Sequence, residues 1–205
     1  MAIELKNIYK NFGDKNVFTN LNLVLRERQF TAIMGPSGSG KTTLVNLLCG
    51  LLVQDYGEIL GLGGHKISVV FQEDRLLEHR NGLANLLYVL RNPTAQEARA
   101  WELLAQAGLA GDAHKRSRDY SGGMKRRLSL CRALIADFSV LILDEPFKGL
   151  DANLKPKIMR MVKELCAEKT VILITHDISE VNFFNCPWVD ITSHCSSPFR
   201  KSSGA

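Results

Sequence analysis

The chain has 205 residues, of which 45% are hydrophobic and 23% are charged, with a formal net charge of +5. These values are ordinary for a soluble globular protein, and the length suits one domain that carries a subdomain. No segment offers the ~20 uncharged apolar residues of a membrane span, and the N-terminus lacks the pattern of a signal peptide. Any membrane connection is therefore expected to go through a partner. The small positive excess is spread along the chain, which favours a solvated surface over a nucleic-acid patch and also suits a nucleotide ligand.

The first part of the sequence predicts several short strands over residues 3–34. Leu21, Leu23 and Leu25 alternate with Asn22 and Val24, as in a strand with one buried face. Residues 13–16 form a turn signal between two strands. A short apolar strand at 30–34 runs directly into a glycine-rich loop, and residues 41–52 have helical apolar spacing.

The middle of the chain, residues 76–120, predicts a mainly helical insertion. Residues 83–90 look helical, and the pair Thr94 and Glu97 has the spacing of a capping box at the start of a second helix. That helix is expected to stop at Gly108. The polar and basic stretch 111–119 is expected to be a loop.

Two continuous apolar runs, at 140–143 and 171–174, predict strands that are buried on both faces. Residues 152–169 between them look helical, which makes a strand–helix–strand unit and hence a parallel sheet. The serine-rich tail from residue 193 to residue 205 is expected to be irregular.

The cysteines are an odd and scattered set of five: Cys49, Cys131, Cys166, Cys186 and Cys195. Such a set argues against a disulfide framework and for a reducing compartment. Cys186, His194 and Cys195 lie near one another in sequence, but no paired C-x-x-C accompanies them. We therefore expect no metal site there.

The glycine-rich loop matches the pattern G-x-x-x-x-G-K-[ST], and it follows a strand and opens a helix as that pattern requires. Its residues are Gly35, Pro36, Ser37, Gly38, Ser39, Gly40, Lys41 and Thr42. Glycines let the backbone approach a phosphate, while successive N–H groups and the helix N-terminus attract its charge. Lys41 is expected to reach the β- and γ-phosphates, Thr42 to bind Mg²⁺, and Thr43 to add a phosphate contact.

Polar residues follow both buried strands. Asp144 ends the first run and is expected to hold Mg²⁺, directly or through water. Glu145 lies one residue further and is a candidate general base for the attacking water. His176 follows the second run, where α/β sheets bind ligands, and is either a contact to the γ-phosphate or an ordinary exposed loop histidine.

The segment Ser121-Gly122-Gly123-Met124 decides between the remaining families of phosphate-loop proteins. With the phosphate loop, Asp144-Glu145 and His176, it makes the chain from Leu5 to about Asn182 resemble an ATP-binding-cassette (ABC) ATPase. The resemblance implies an α/β fold, a P-loop NTPase core with a mostly parallel sheet, an N-terminal antiparallel β-subdomain and a helical insertion subdomain. Within a single domain of residues 1–205, we expect the β-subdomain to start in 1–34 and the nucleotide-binding core to occupy 35–75 and 121–205. The helical subdomain is expected in 76–120 and extends into the signature helix, which is the helix that starts at the family's signature segment, here residues 121–124.

The same resemblance implies roles for further residues. Ser121, Gly122 and Gly123 would begin a helix that faces the γ-phosphate bound by the other subunit. Gln72 matches the glutamine that senses Mg²⁺ and the attacking water, and Asp151 matches the aspartate that communicates across the dimer. Phe12 matches the aromatic residue that stacks on adenine; Tyr9 competes for that role, and either ring could instead pack in the core.

Several positions depart from the family pattern. Met124 stands where the signature usually has Gln, and Lys148 stands where the loop before Asp151 usually has Ser or Gly. The basic residues after the signature, Lys125, Arg126, Arg127 and Arg132, are interpreted as a solvated or phosphate-attracting face. The region between Thr43 and Gln72 is shorter than usual, and C-terminal family elements look reduced or missing, so no regulatory C-terminal domain is expected.

The function implied by the resemblance is that of a transporter's ATPase, using ATP and Mg²⁺ at the cytoplasmic face of the cell membrane. Residues 71–77 and 145–147 are similar to the ATPases of importers for nitrate, sulfonate and taurine. Two copies, or this chain and a related ATPase, would close around ATP and drive integral-membrane permease subunits, with a substrate-binding protein in the complex and no nucleic acid. Residues 76–87 would line the groove for the permease.

Three alternatives remain open. A lone cassette could regulate a non-transport membrane partner in cell division or lipoprotein release, although Phe147 and the context of Gln72 favour import. A soluble ABC ATPase acting on nucleic acid or ribosomes would usually carry two cassettes, long coiled coils or zinc modules, and none is visible. A small-molecule kinase would have no use for Ser121-Gly122-Gly123.

Overall fold

The computed structural model describes residues 2–194, with side chains to Thr192. Over these residues the strands and helices are β1 Ala2–Phe12, β2 Lys15–Arg26, β3 Phe30–Met34, α1 Lys41–Leu48, β4 Tyr56–Leu60, β5 Ile67–Val70, α2 Gly82–Leu87, α3 Pro93–Gln106, α4 Gly122–Ile135, β6 Val140–Asp144, α5 Lys155–Leu165, β7 Thr170–Ile174, α6 Ile178–Phe184 and β8 Trp188–Asp190. None of the helices between residues 2 and 194 has both the length and the hydropathy to cross a membrane.

The central sheet has five strands in the order β5-β6-β7-β3-β8, and every neighbouring pair is parallel. β6 and β7 are buried at every position. The prediction of a mostly parallel sheet built on the two apolar runs is therefore confirmed. All five strands bring their carboxyl ends to one edge, where α/β folds place ligands.

The second sheet is antiparallel, with the order β2-β1-β4. Leu21, Leu23 and Leu25 are buried while Asn22 and Val24 are exposed, so the predicted alternation is confirmed. β1 and β2 are 11 and 12 residues long, which is longer than the short strands predicted. The turn between them takes only Gly13 and Asp14, because Lys15 already pairs with Phe12.

The two sheets do not divide the chain at residue 34. β3 lies in the parallel sheet, whereas β4 comes later in the sequence and pairs with β1. The subdomain bounds drawn from the sequence therefore remain a prediction. Alternate residues of the parallel strands point into two cores: Leu141 and Leu143 pack with the helices, and Val140 and Ile142 pack with α1 and the antiparallel sheet.

Several predicted helix bounds were wrong. α1 ends at Leu48, not at residue 52, and Gly50 with φ +68° lies beyond its end. α3 begins without the predicted capping box, because the Asn92 side chain accepts a hydrogen bond from the Ala95 N–H and Pro93 takes the first helical position. The predicted stop at Gly108, with φ +66°, is confirmed.

The remaining differences from the sequence predictions concern α5 and three single turns of 3₁₀ helix. α5 spans Lys155–Leu165 rather than 152–169, because the Asp151 side chain accepts a hydrogen bond from the Asn153 N–H and holds a turn before the helix. The predicted loop 111–119 contains parts of two single turns of 3₁₀ helix, Ala110–Asp112 and Ser117–Asp119. A third turn, Ile191–His194, begins the tail, and the residues from 195 onward lie outside the described chain.

Candidate nucleotide site

The phosphate loop joins the carboxyl end of β3 to the first residue of α1. Gly38 and Gly40 have φ values of +83° and +88°, a conformation that residues with a side chain rarely adopt. At Gly40 an added Cβ would also lie 2.8 Å from Cγ1 of Val17. The sequence therefore needs glycine at this point so that the loop can turn into the helix against the antiparallel sheet.

Lys41 is held tightly by the loop that it follows. Its residue is only 8% exposed, and its ammonium donates hydrogen bonds to the carbonyl oxygens of Gly35 and Pro36, both at 2.7 Å. The bonds place a positive charge at the floor of the loop. A buried charge of this kind needs such partners, because burial without them is costly.

A cavity of about 540 Å³ brings most of the predicted site residues together. Its lining includes Phe12, Ser37, Gly38, Gly40, Lys41, Thr42, Thr43, Gln72, Asp144 and Glu145, and also Lys15, Val17 and Lys148. A larger groove, of about 610 Å³, lies at the amino ends of the parallel strands and contains none of the predicted residues. The chemistry therefore favours the smaller cavity at the carboxyl ends.

Asp144 is the last residue of β6 and is 2% exposed. Burial raises its pKa, and the neighbouring charge of Glu145 raises it further, while Arg126 and Lys41 oppose the shift. A buried acid so close to a second acid is poised to accept a cation, which would compensate the buried charge.

Glu145 stands between two positively charged or polar partners. His176 Nδ1 lies 3.2 Å from its Oε1, and Lys148 Nζ lies 3.1 Å from its Oε2. Burial opposes ionisation of this carboxyl, but the interactions with Lys148 and His176 outweigh it and lower its pKa. Glu145 is therefore ionised at neutral pH and can accept a proton.

The two candidate aromatic residues occupy different places. Phe12 is 50% exposed and lines the cavity, with the Lys10 ammonium 5.5 Å from the ring centroid. Tyr9 packs edge-to-face on Tyr56, with centroids 6.4 Å apart. The geometry therefore places Phe12, and not Tyr9, where it could cover a bound base.

The signature residues do not line the cavity of their own chain. Ser121 is the N-cap of α4, and its hydroxyl accepts a hydrogen bond from the Met124 N–H at 3.3 Å. Ser121 and Gly122 are exposed at the surface. Asp151 is also exposed. Ser39 and the remaining loop residues, Gly35 and Pro36, lie in the loop itself outside the cavity lining.

Comparison with known proteins places this arrangement in a family. The family model described as ABC transporter matches residues 18–148. The chain belongs to the ABC transporter family. It is an ATP-binding and ATP-hydrolysing cassette of that family.

Similar proteins support the assignment along most of the chain. The aliphatic sulfonates import ATP-binding protein SsuB 1 of Nocardia farcinica is 39% identical over 88% of this chain and 74% of its own length. The taurine import ATP-binding protein TauB of Pseudomonas entomophila is 43% identical over 88% of this chain and 75% of its own. Among solved structures, the dimeric bacterial ABC transporter cassette MJ0796 superposes with a TM-score of 0.82 at 30% identity, covering 93% of this chain and 95% of that one. A post-hydrolysis dimer of MJ0796 with ADP and Pi gives 0.81.

The basic residues that follow the cassette's signature were misinterpreted. Arg126 and Arg127 are buried, at 5% and 9% exposure, and both donate to main-chain carbonyls. Lys125 pairs with Glu78, and Arg132 donates to the carbonyls of Asp74 and Arg75. The prediction of a solvated or phosphate-attracting face is therefore wrong for Arg126 and Arg127.

Sequence reasoning also missed two cassette residues beside the nucleotide cavity. Lys148 was noted only as a departure from the family pattern, yet its ammonium lies at Glu145. Arg126 could have been found from helical spacing, because it lies four and eight residues before the buried Leu130 and Leu134 and so shares their face.

Proposed function

We propose that this chain is the ATPase subunit of an importer for a small sulfonate-type solute. Two copies would close around two ATP molecules and drive separate permease subunits at the cytoplasmic face of the membrane. The observation that carries this proposal is the 39–43% identity, over 88% of the chain, to cassettes named for sulfonate and taurine import. Solute specificity would then lie with the permease and a substrate-binding protein.

The cavity residues have the chemistry that Mg-ATP requires. Thr42 offers a hydroxyl, Gln72 an amide oxygen and Asp144 a buried carboxylate, all on one cavity, and oxygen ligands of these types are those that Mg²⁺ prefers. We propose that these three hold the ion. When bound, Mg²⁺ would neutralise phosphate charge in the reaction.

The protein's own part in hydrolysis is to bind phosphate and to accept a proton. The phosphate loop and Lys41 hold the β- and γ-phosphates, and Phe12 covers the base. Glu145, ionised and oriented by His176, takes a proton from the attacking water as it adds to the γ-phosphate. The bond from the γ-phosphorus to the bridging oxygen breaks and releases ADP.

The second copy would complete the site. Ser121, Gly122 and Gly123 are at the exposed N-terminus of a 14-residue helix, where backbone N–H groups favour an anion. We propose that they contact the γ-phosphate bound by the partner, with Asp151 at the same interface. Hydrolysis removes the shared contacts, and the dimer opens.

The first test uses a variant that binds ATP without consuming it. We expect Glu145→Gln to shift from monomer to dimer in light scattering when Mg-ATP is added, and to lose most turnover. Glu164→Gln, an exposed change on α5, is the matched control and should hydrolyse ATP as the wild type does. Glu145→Gln that turns over normally, or that stays monomeric with bound Mg-ATP, contradicts the symmetric mechanism.

Import is tested separately. The chain should co-purify with a multi-span permease, and in proteoliposomes ATP should drive uptake of taurine or of an alkanesulfonate in the presence of a substrate-binding protein. Stable association with a membrane partner that moves neither solute would instead favour the regulatory alternative.

A further inference from the structure

One buried arginine connects the two loops that line the nucleotide cavity. Arg126 lies in the second turn of α4, is 5% exposed and is not part of the cavity lining. Its Nη1 donates to the carbonyl oxygens of Phe71 (2.6 Å) and Gln72 (3.3 Å) and to the carboxylate oxygen Oδ1 of Asp74 (3.2 Å). Its Nη2 donates to the carbonyl oxygens of Asp144 (2.6 Å) and Glu145 (2.5 Å), and its Nε donates to the carbonyl oxygen of Pro146 (3.1 Å). Each nitrogen of the guanidinium is therefore engaged.

These acceptors form two groups, which lie side by side because they follow the carboxyl ends of two neighbouring strands. Phe71 and Gln72 follow β5, and the segment from Asp144 to Pro146 follows β6, with β5 and β6 paired in parallel. Only a planar fork with five N–H donors can serve both groups at once; an ammonium has the same charge but neither the reach nor the geometry.

The backbone at Glu145 needs such support. Its φ is +47°, a left-handed conformation that is costly for a residue with a side chain and persists only where neighbours hold it. Its N–H donates to the carbonyl of Ile174 at 2.9 Å, and its carbonyl accepts from Arg126 at 2.5 Å. The strained peptide is thus held from both sides.

We propose that Arg126 is a positioning residue for ATP hydrolysis, one that sets the backbone of Glu145 and Gln72 relative to each other. Because it lies on α4, the helix that Ser121 caps, it also links these loops to the surface offered to the partner's ATP. The inference rests on the function proposed above. It does not require Arg126 to touch nucleotide.

The consequence is a split between binding and turnover. Arg126 is not part of the cavity lining, and the phosphate loop, Lys41 and Phe12 that hold ATP stay in place without it, so ATP affinity should be largely retained when it is replaced. Without it, the peptide of Glu145 relaxes from its left-handed conformation and the carboxylate leaves the position from which it takes a proton. Small misplacements of a catalytic group of this kind lower turnover strongly.

The test compares Arg126→Gln and Arg126→Lys with Arg127→Gln in the full chain. Arg127 is the matched control, since it is also buried on α4 and donates to main-chain carbonyls, but to those of Ala107 and Gly108 in the helical insertion and of Gly123 on its own helix. The readouts are kcat and KM for Mg-ATP, the dissociation constant of Mg-ATP by calorimetry, and the melting temperature.

We expect Arg126→Gln to lower kcat by about tenfold or more while the dissociation constant changes by less than about threefold. Arg126→Lys keeps the charge but not the fork, so it should not restore kcat. Arg127→Gln should keep kcat within about threefold of the wild-type value, even if its melting temperature falls as far as that of Arg126→Gln.

Three results would overturn the proposal: a near-wild-type kcat in Arg126→Gln, full rescue by lysine, or an equal loss of kcat in Arg127→Gln at an equal loss of melting temperature. Where Arg126→Gln is insoluble, Arg126→Lys alone decides, since a wild-type kcat there excludes the role of the fork. If Glu145→Gln also turns over normally, the proposed function itself fails; if Glu145→Gln is inactive and the Arg126 variants are not, only this inference fails.

Discussion

The ammonium of Lys148 lies 3.1 Å from Oε2 of Glu145, the carboxylate proposed to activate water. The Lys148 side chain is 60% exposed and that of Glu145 is 11% exposed, so the lysine is open to solvent and the glutamate is largely covered. Lys148 also lines the nucleotide cavity. An exposed cation beside a largely buried carboxylate can therefore pair with the carboxylate or with an incoming polyphosphate.

Lys148→Met should weaken the binding of Mg-ATP by about two- to fivefold, because a charge interaction at a partly exposed site is worth roughly 0.5–1 kcal/mol. The melting temperature should scarcely change, because an ion pair at a partly exposed site also contributes little to stability. Calorimetric titration at low and high salt measures the effect, which should shrink as salt screens it. Lys157→Met, an exposed change on α5, is the control. Equal affinities in wild type and Lys148→Met would mean that the ammonium stays on Glu145.

The lowered pKa of Asp177, the residue after His176, predicts how the free energy of unfolding depends on pH. Hydrogen bonds from Lys155 and Ser179 lower its pKa from 3.8 to about 2. A carboxyl with a depressed pKa in the folded state contributes stability above its unfolded pKa and loses it as pH falls toward the folded value. The contribution of Asp177 should therefore be complete above about pH 5 and vanish between pH 4 and pH 2.

Asp177→Asn isolates the contribution of the Asp177 charge to stability, because asparagine still caps α6 but carries no charge. The free energy of unfolding should fall by about 1 kcal/mol at pH 7, a modest value because the Asp177 side chain is 36% exposed. Denaturant unfolding of both proteins at a series of pH values measures the difference. A difference that stays constant down to pH 2.5 would show that the charge of Asp177 does not contribute.

The parts of the fold that the sequence predicted are those with strong local signals. β6 and β7 are continuous apolar runs because both of their faces are buried, and the phosphate loop needs glycines wherever its backbone is left-handed. β4 was missed because four of its five residues are exposed and its place is set by pairing with β1, about fifty residues earlier. β8 has only three residues and lies at the edge of the sheet.

The candidate site divides in the same way. The cavity residues were found because each motif carries its own chemistry at a fixed spacing. Arg126 was not, because a charged residue in a basic run suggests solvent, and the carbonyls that compensate its charge come from two loops, 54–55 residues before it and 18–20 residues after it. Buried charges with long-range main-chain partners leave only their helical spacing as a signal.

The buried cysteines should be unreactive in the folded protein. Burial raises the pKa of Cys131 and of Cys166 to about 12, and that of Cys49 to about 11. Since the thiolate is the reactive form, iodoacetamide at pH 7.5 should leave Cys131 and Cys166 unmodified unless the chain is unfolded. Peptide mass spectrometry reads each cysteine separately, with the unfolded chain as the reference. Modification of Cys131 at equal rates in both states would contradict its burial.

Gly57 should be intolerant of any side chain. Its φ is +89°, and an added Cβ would lie 2.3 Å from the carbonyl oxygen of Asn7 and 2.4 Å from that of Lys6, where β1 and β4 shift register. Because the clash is with backbone and cannot be relieved by a rotamer change, Gly57→Ala should cost about 2–4 kcal/mol of the free energy of unfolding.

The matched control for this change is Gly63→Ala, where a Cβ would meet nothing within 4 Å. Its effect on the free energy of unfolding should stay within about 0.5 kcal/mol. Urea denaturation of the two variants and the wild type compares them directly. If Gly57→Ala were as stable as Gly63→Ala, β4 would have to pair with β1 in another register. The hydrogen exchange rates of the Glu58 and Leu60 amides would then show whether that pairing persists.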